Sequence, residues 1–292
     1  MITPFDSAGH IDYAALEALT DWYIDSGVAG LFAVCLSSEM YDLTDRERLG
    51  IAKAVYRRAA GRVKVVATGT FGGSLEQMAA FSHEMSEYCD AVVIISAFFA
   101  AENDPPETWL NNCRREPEQP TAQCSRFVFF WCGPDRRFCE LTGDIPLGIY
   151  ECPVPYKRLL TPEELGACAA SGKFLFHKDT CCDLAQMKAK IAAIPPESNF
   201  KFYNANVETL QASIALGGHG FCGISANFYP WLHARLCSQP RGKVADQIQD
   251  FLAVAENVVV ACYPRSPKAP ALRHLPPLAS YPYDSGPTAR FF

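Results

Sequence analysis

At 292 residues, 49% hydrophobic and 20% charged, the chain has an ordinary globular composition and length enough for one large α/β domain. Its formal net charge of -6 argues against nucleic acid or an anionic membrane as partner, and no apolar run approaches the roughly 18 residues of a membrane span. The start, Met1-Ile2-Thr3-Pro4-Phe5-Asp6, shows no secretory signal, and most of the thirteen cysteines, which have no zinc-ligand spacing or C-x-x-C pair, read as reduced core residues of a cytoplasmic protein.

Residues 11–26 carry helical spacing (Leu16, Leu19, Tyr23) that stops at Gly27. A strand over 28–34 leads into Cys35-Leu36-Ser37-Ser38-Glu39. Thr44 and Glu47 spell a capping box for a helix to about Ala60. A strand over 63–68, a glycine-rich loop and a helix capped by Ser74 and Gln77 follow, then a β-branched strand over 91–96. The next strand, 145–150, ends in Tyr150. Thr161-Pro162-Glu163-Glu164 opens a helix with Pro at its first position. After it come a strand ending at Lys178, a helix over 183–194, a strand over 200–203 and a helix over 207–216. The last strand, 220–225, precedes two helical stretches near 231–237 and 243–259.

Strand and helix alternate at steps of about 20 to 35 residues, which predicts a parallel sheet and favours a (β/α)8 barrel over an open doubly wound sheet. No G-x-G-x-x-G opens a helix, which weakens a nucleotide-binding reading. The barrel is expected over 1–230, a C-terminal helical extension over 231–263 and an irregular tail over 264–292, where prolines exclude a helix. Two features break the rhythm. Only Met1 to Phe5 are left for a short first strand. Residues about 113–137 form an atypical insertion between strands 4 and 5, with the run Phe127-Val128-Phe129-Phe130-Trp131. The insertion reads equally as a surface excursion or as non-coding sequence carried into the reading frame.

The chemistry converges on strand carboxyl ends, where barrels of this type build their sites. Phe174, Phe176 and Lys178 share one strand face, so Lys178 points where two phenylalanines point. Burial favours the free amine, a nucleophile that forms a Schiff base with a carbonyl carbon. Tyr150 offers a phenol for moving protons across the barrel mouth. Ser37 and Ser38, with their backbone N–H groups, offer an anion site for a small carboxylate. Gly217-Gly218-His219-Gly220 is a weak phosphate-site signal and reads better as a helix-ending turn.

In order and spacing, Thr3 to Asp6, Gly30 to Glu39, Leu43-Thr44, Tyr150 with Pro153, Phe176 to Asp179, and Gly217 to Ser225 resemble the dihydrodipicolinate synthase / N-acetylneuraminate lyase family. The resemblance covers about residues 1–110 and 138–260. It implies a (β/α)8 barrel with a C-terminal helical extension, usually assembled as a homo-oligomer. It assigns Lys178 as the Schiff-base lysine, Tyr150 as proton shuttle, Ser37 and Ser38 to the Gly-Thr-Thr-Gly-type carboxylate loop, and Ile224 to a place over bound pyruvate. The implied substrates are a small 2-oxo acid and an aldehyde. The iminium is the electron sink, so no metal and no organic cofactor are expected. The sequence also departs from the family. Cys35 and Ser38 stand where glycines are usual, and Phe99 stands where a neighbouring subunit's tyrosine is usual. Pro155 replaces the arginine found five residues after the shuttle tyrosine in dihydrodipicolinate synthases, with Lys157 and Arg158 out of register. These departures shift the expectation from 4-hydroxy-tetrahydrodipicolinate synthase proper, kept as an alternative, to a lyase or aldolase acting on another 2-oxo acid. A catalytically crippled member without turnover is the other alternative.

Overall fold

A computed structural model describes residues 1–113 and 138–261 of the chain. The expected insertion and tail therefore lie almost wholly outside the described residues. In chain order the elements are α1 (Tyr13–Asp25), β1 (Gly30–Phe32), α2 (Asp45–Ala59), β2 (Lys64–Thr68), α3 (Leu75–Ser86) and β3 (Ala91–Ile95). They continue with α4 (Pro106–Cys113), α5 (Phe138–Leu141), β4 (Leu147–Tyr150), α6 (Pro162–Ala170), β5 (Phe174–Asp179) and α7 (Leu184–Ala192). The last are β6 (Lys201–Asn204), α8 (Leu210–Ala215), β7 (Gly220–Phe221), α9 (Pro230–Ser238) and α10 (Lys243–Ala261). All seven strands are parallel and pair in sequence order, from β1 at one edge to β7 at the other.

The helices begin where local chemistry says they should. Thr44 with Glu47, Ser74 with Gln77 and Thr161 with Glu164 each form the reciprocal capping box, satisfying N–H groups that the first turn leaves without helical partners. At the other end, Gly217 takes a left-handed φ of 104° and Gly218 N–H donates to the Ser213 carbonyl, so the glycine pair ends α8 as a turn. The interior strand β3 is buried at every residue, as a parallel strand covered on both faces should be. The main core runs from Leu16 and Tyr23 on α1 through the strands to Phe202; a second, smaller core joins Val207 and Leu210 to Leu236, Ala245 and Leu252 under α9 and α10.

The first expected strand differs. Among the described residues the sheet has seven strands, and Met1 to Phe5 add none. Pro4 has no N–H to offer a ladder within this stretch. Phe5 instead forms one antiparallel bridge with Ile11, and Thr3 donates its hydroxyl to the Ser38 carbonyl. Only Met1 reaches the seam: its amino group donates to the Phe32 carbonyl at 2.7 Å, beside the outer edge of β1.

The 97–150 step also holds more helix than its pattern suggests. α4 and α5 flank the undescribed segment, and the Cys139 thiol contacts the Cys113 carbonyl, so its two flanks meet. Trp109 and Phe138 pack around Phe99 there, fully buried, and Trp109 Nε1 donates to the Ser96 carbonyl at 2.8 Å.

Candidate active site

The site grows from the alternation of β5. Phe174 is buried, Phe176 and Lys178 face the barrel interior, and His177 and Asp179 take the opposite face. β4 can approach because Gly148 lies against the Phe176 ring; a Cβ there would stand 2.3 Å from it. The register then sets Tyr150 directly across from Lys178. Lys178 Nζ lies 4.1 Å from the centre of the Tyr150 ring and 5.5 Å from that of Phe32. Two aromatic rings thus flank the nitrogen and shield it from bulk water. At 9% exposure Lys178 is screened yet reachable.

Lys178 and Ser37 line one cavity of about 730 Å³. Cys35 borders it at the same end; Lys64, Asp90 and Lys201, near the starts of their strands, border it at the other. Gly30 and Leu31 of β1 and Gly220 and Phe221 of β7 also face it, so the space between the two sheet edges continues the cavity. Tyr150 is not on this wall; its ring stands next to Phe32, 5.8 Å between centres, beside the Lys178 amine. The Tyr150 hydroxyl bonds to the Cys152 thiol, and Tyr41 Oη lies 4.0 Å from that sulfur while donating to the Val154 carbonyl at 2.8 Å. A polar chain of phenol, thiol and phenol therefore leads away from Lys178.

The serine loop divides its work. Ser38 is fully buried; its hydroxyl donates to the Cys35 carbonyl at 2.6 Å and accepts from Cys35 N–H at 2.7 Å, closing the 3-10 turn. Ser37 is the serine on the cavity wall. Ile224 begins a 3-10 turn, and the cavity wall at that turn consists of Gly223, Ala226 and Asn227. Sequence reasoning noted Cys35 only as a departure from a usual glycine. Burial pushes its thiol up, but the Met1 amino group 3.6 Å away and the charge of Lys178 outweigh burial and hold it below the usual range.

Sequence reasoning passed over the opposite face of β4 and β5. Glu151, His177 and Asp179 are fully buried there with Lys190 of α7. Lys190 Nζ donates to Glu151 Oε1 and Asp179 Oδ2, both at 2.6 Å. Burial raises the Glu151 carboxyl, but His177 and Lys190 outweigh it and hold it below its ordinary value; the two carboxylates raise Lys190. His177 Nε2 pairs with Glu151 Oε1 at 3.2 Å, and among the described residues neither ring nitrogen has an aligned hydrogen-bond partner. Glu151, His177 and Asp179 have the spacing of metal ligands, but the Lys190 ammonium already fills the cation position between the carboxylates. The signal for this cluster was present: strict alternation from Tyr150 and Lys178 turns their neighbours to the helix side.

The description "Dihydrodipicolinate synthetase family" fits residues 1–104. The 4-hydroxy-tetrahydrodipicolinate synthase of Laribacter hongkongensis is 27% identical over 250 residues, spanning 85% of this chain and 75% of that protein. The amino-terminal third of the chain is thus similar to the dihydrodipicolinate synthetase family, and the longer alignment extends that similarity over most of its length. Another relative, the synthase of the same name from Roseobacter denitrificans, is 26% identical over 86% of this chain and 78% of its own length. The fold likewise matches a dihydrodipicolinate synthase of Acinetobacter baumannii complexed with pyruvate, with TM-score 0.74 and 19% identity over 92% of this chain and 84% of that one. A prophage protein of E. coli K12, also complexed with pyruvate, gives TM-score 0.70 and 22% identity over 86% and 78%. Arg158, three residues after Pro155, is already engaged: Glu164 binds its guanidinium at 2.7 Å, over the Trp109 ring.

Proposed function

We propose that the protein is a class I lyase or aldolase that joins a 2-oxo acid such as pyruvate to Lys178 as a Schiff base and makes or breaks a carbon–carbon bond to an aldehyde. The observation that carries this reading is the placement of the Lys178 amine, on a cavity wall and 4.1 Å from the centre of the Tyr150 ring. Ser37 orients the carboxylate so that the ketone carbon faces Nζ. The amine attacks that carbon, the carbinolamine oxygen leaves as water, and an iminium remains. Loss of a methyl proton gives an enamine, whose carbon attacks an aldehyde; water then releases the product and restores the lysine. Tyr150 serves the proton movements at the carbinolamine and the aldehyde oxygen, with Cys152 and Tyr41 extending the polar chain. The names of the relatives support the synthase reaction as an alternative. The missing arginine and the engaged Arg158 favour a different aldehyde partner.

A second reading has one observation behind it. Among the described residues the space between β1 and β7 leaves the cavity bordered by two unjoined sheet edges, and a site on an unclosed scaffold loses turnover before it loses imine formation. Proton exchange separates an active site from an inert one without knowledge of the aldehyde. In D2O the protein should exchange the methyl protons of pyruvate, followed by NMR, and Lys178→Ala should abolish the exchange. Equal exchange by the variant would refute the assignment.

A further inference from the structure

We infer that Lys190, with Glu151 and Asp179, forms a buried clamp that sets the separation of Tyr150 and Lys178, making these three the positioning residues of the Schiff-base reaction. The inference rests on the reading of Lys178 given above and adds to it a device on the other side of the sheet.

Each catalytic candidate has a clamp residue as its immediate chain neighbour. Tyr150 is followed by Glu151 and Lys178 by Asp179, and the two pairs stand side by side, with Glu151 N–H donating to the Lys178 carbonyl at 3.3 Å. Alternation sends the neighbours outward to α7 while Tyr150 and Lys178 turn inward. One ammonium then grips both strands, through Glu151 Oε1 and Asp179 Oδ2. The remaining acceptor capacity is also used. Glu151 Oε1 accepts from Leu160 N–H at 2.8 Å and Oε2 from Thr180 N–H at 3.0 Å, and the Thr180 hydroxyl donates to the Glu151 carbonyl at 2.8 Å. Asp179 Oδ1 accepts from Cys181 N–H at 3.0 Å. The clamp thus fixes the loops leaving both strands as well as the strands.

Two carboxylates on adjacent strands repel unless a cation lies between them, and in a buried setting that repulsion is weakly screened. With Lys190 in place the strand ends are drawn together; without it they separate or one carboxylate takes up a proton. Either change moves Tyr150 relative to Lys178, and reacting groups misplaced by about 1 Å lose roughly 10²-fold in rate. Pyruvate affinity should change little. Ser37 lies at the end of β1, several strands away from the clamp.

The test measures methyl-proton exchange in pyruvate per site that pyruvate and borohydride can trap, so misfolded molecules are not counted. Lys190→Met should slow exchange at saturating pyruvate at least about 10-fold. It should leave the half-saturating pyruvate concentration within about threefold, and Lys190→Arg should recover most of the rate. Where Lys190→Met does not fold, the double variant Glu151→Gln with Lys190→Met removes the ammonium and one of the two carboxylates at similar volume, leaving Asp179, and should show the same slow exchange. A folded variant of either kind exchanging at the wild-type rate overturns the clamp alone. So does a parallel loss of rate and affinity that Lys190→Arg does not repair, since that marks a merely structural role. Wild-type protein that neither exchanges nor is trapped overturns the Schiff-base reading, and the clamp with it.

Discussion

Tyr150 has two separable duties, a ring face for the Lys178 amine and a hydroxyl for proton movement, and one substitution divides them. Tyr150→Phe keeps the ring that contacts Phe32 and Lys178 and removes only the oxygen that bonds to Cys152. Turnover should fall by about 10²-fold or more, the scale for losing a positioned acid or base. Stability should change by only about 1 kcal/mol, the net value of one hydrogen bond. Steady-state kinetics and a thermal melt check both parts; an unchanged rate in an active wild type would remove Tyr150 from the mechanism. At this scale the sequence was informative for residues that alternate along one strand. Period-two reasoning placed Phe176 and Lys178 on one wall, but the β4–β5 register shifts between Leu147 and Gly148, and Phe174 does not share that wall. The division between Ser37 and Ser38 was not legible, because it depends on which hydroxyl folds back on its own turn. Lys190 was not legible either, since its partners come from other elements 11 and 39 residues away.

Helix starts were legible because a capping box is written in four consecutive residues, and three of them hold with the bonds their spelling requires. The stretch between β3 and β4 was harder. α4 and α5 are eight and four residues long, too short for a helical period to declare itself beside a foreign-looking run. Contact between Cys113 and Cys139 shows that the described flanks of residues 114–137 are already together. Replacing that segment by a short linker should therefore leave thermal stability equal or higher. It should also improve solubility, because Phe127-Val128-Phe129-Phe130-Trp131 combines aromatic and β-branched residues without charge. A deletion variant that unfolds, while the full chain is stable by the same melt, would show the segment to be structural.

Across the whole molecule, the order of seven parallel strands follows from the rhythm of the sequence, but closure of the barrel does not. β1 and β7 are the edges of the sheet, both face the cavity, and Met1 already bonds to the Phe32 carbonyl beside β1. An added strand in that space would find ladder partners on two sides. Extending the chain ahead of Met1 by five alternating β-branched residues should raise the melting temperature by about 5 °C or more, at roughly 2–4 °C per kcal/mol for a protein of this size. An unchanged melting temperature would mean that the edges do not accept a strand. The central claim, that Lys178 is the amine that captures a 2-oxo acid, is tested most directly by intact-mass measurement after treatment with pyruvate and borohydride. Reduction turns the imine into a stable secondary amine. The account predicts a mass increase of one reduced pyruvate per chain, mapped to the peptide carrying Lys178 and lost in Lys178→Ala. A folded protein that gains no mass, or gains it equally in Lys178→Ala, would contradict it.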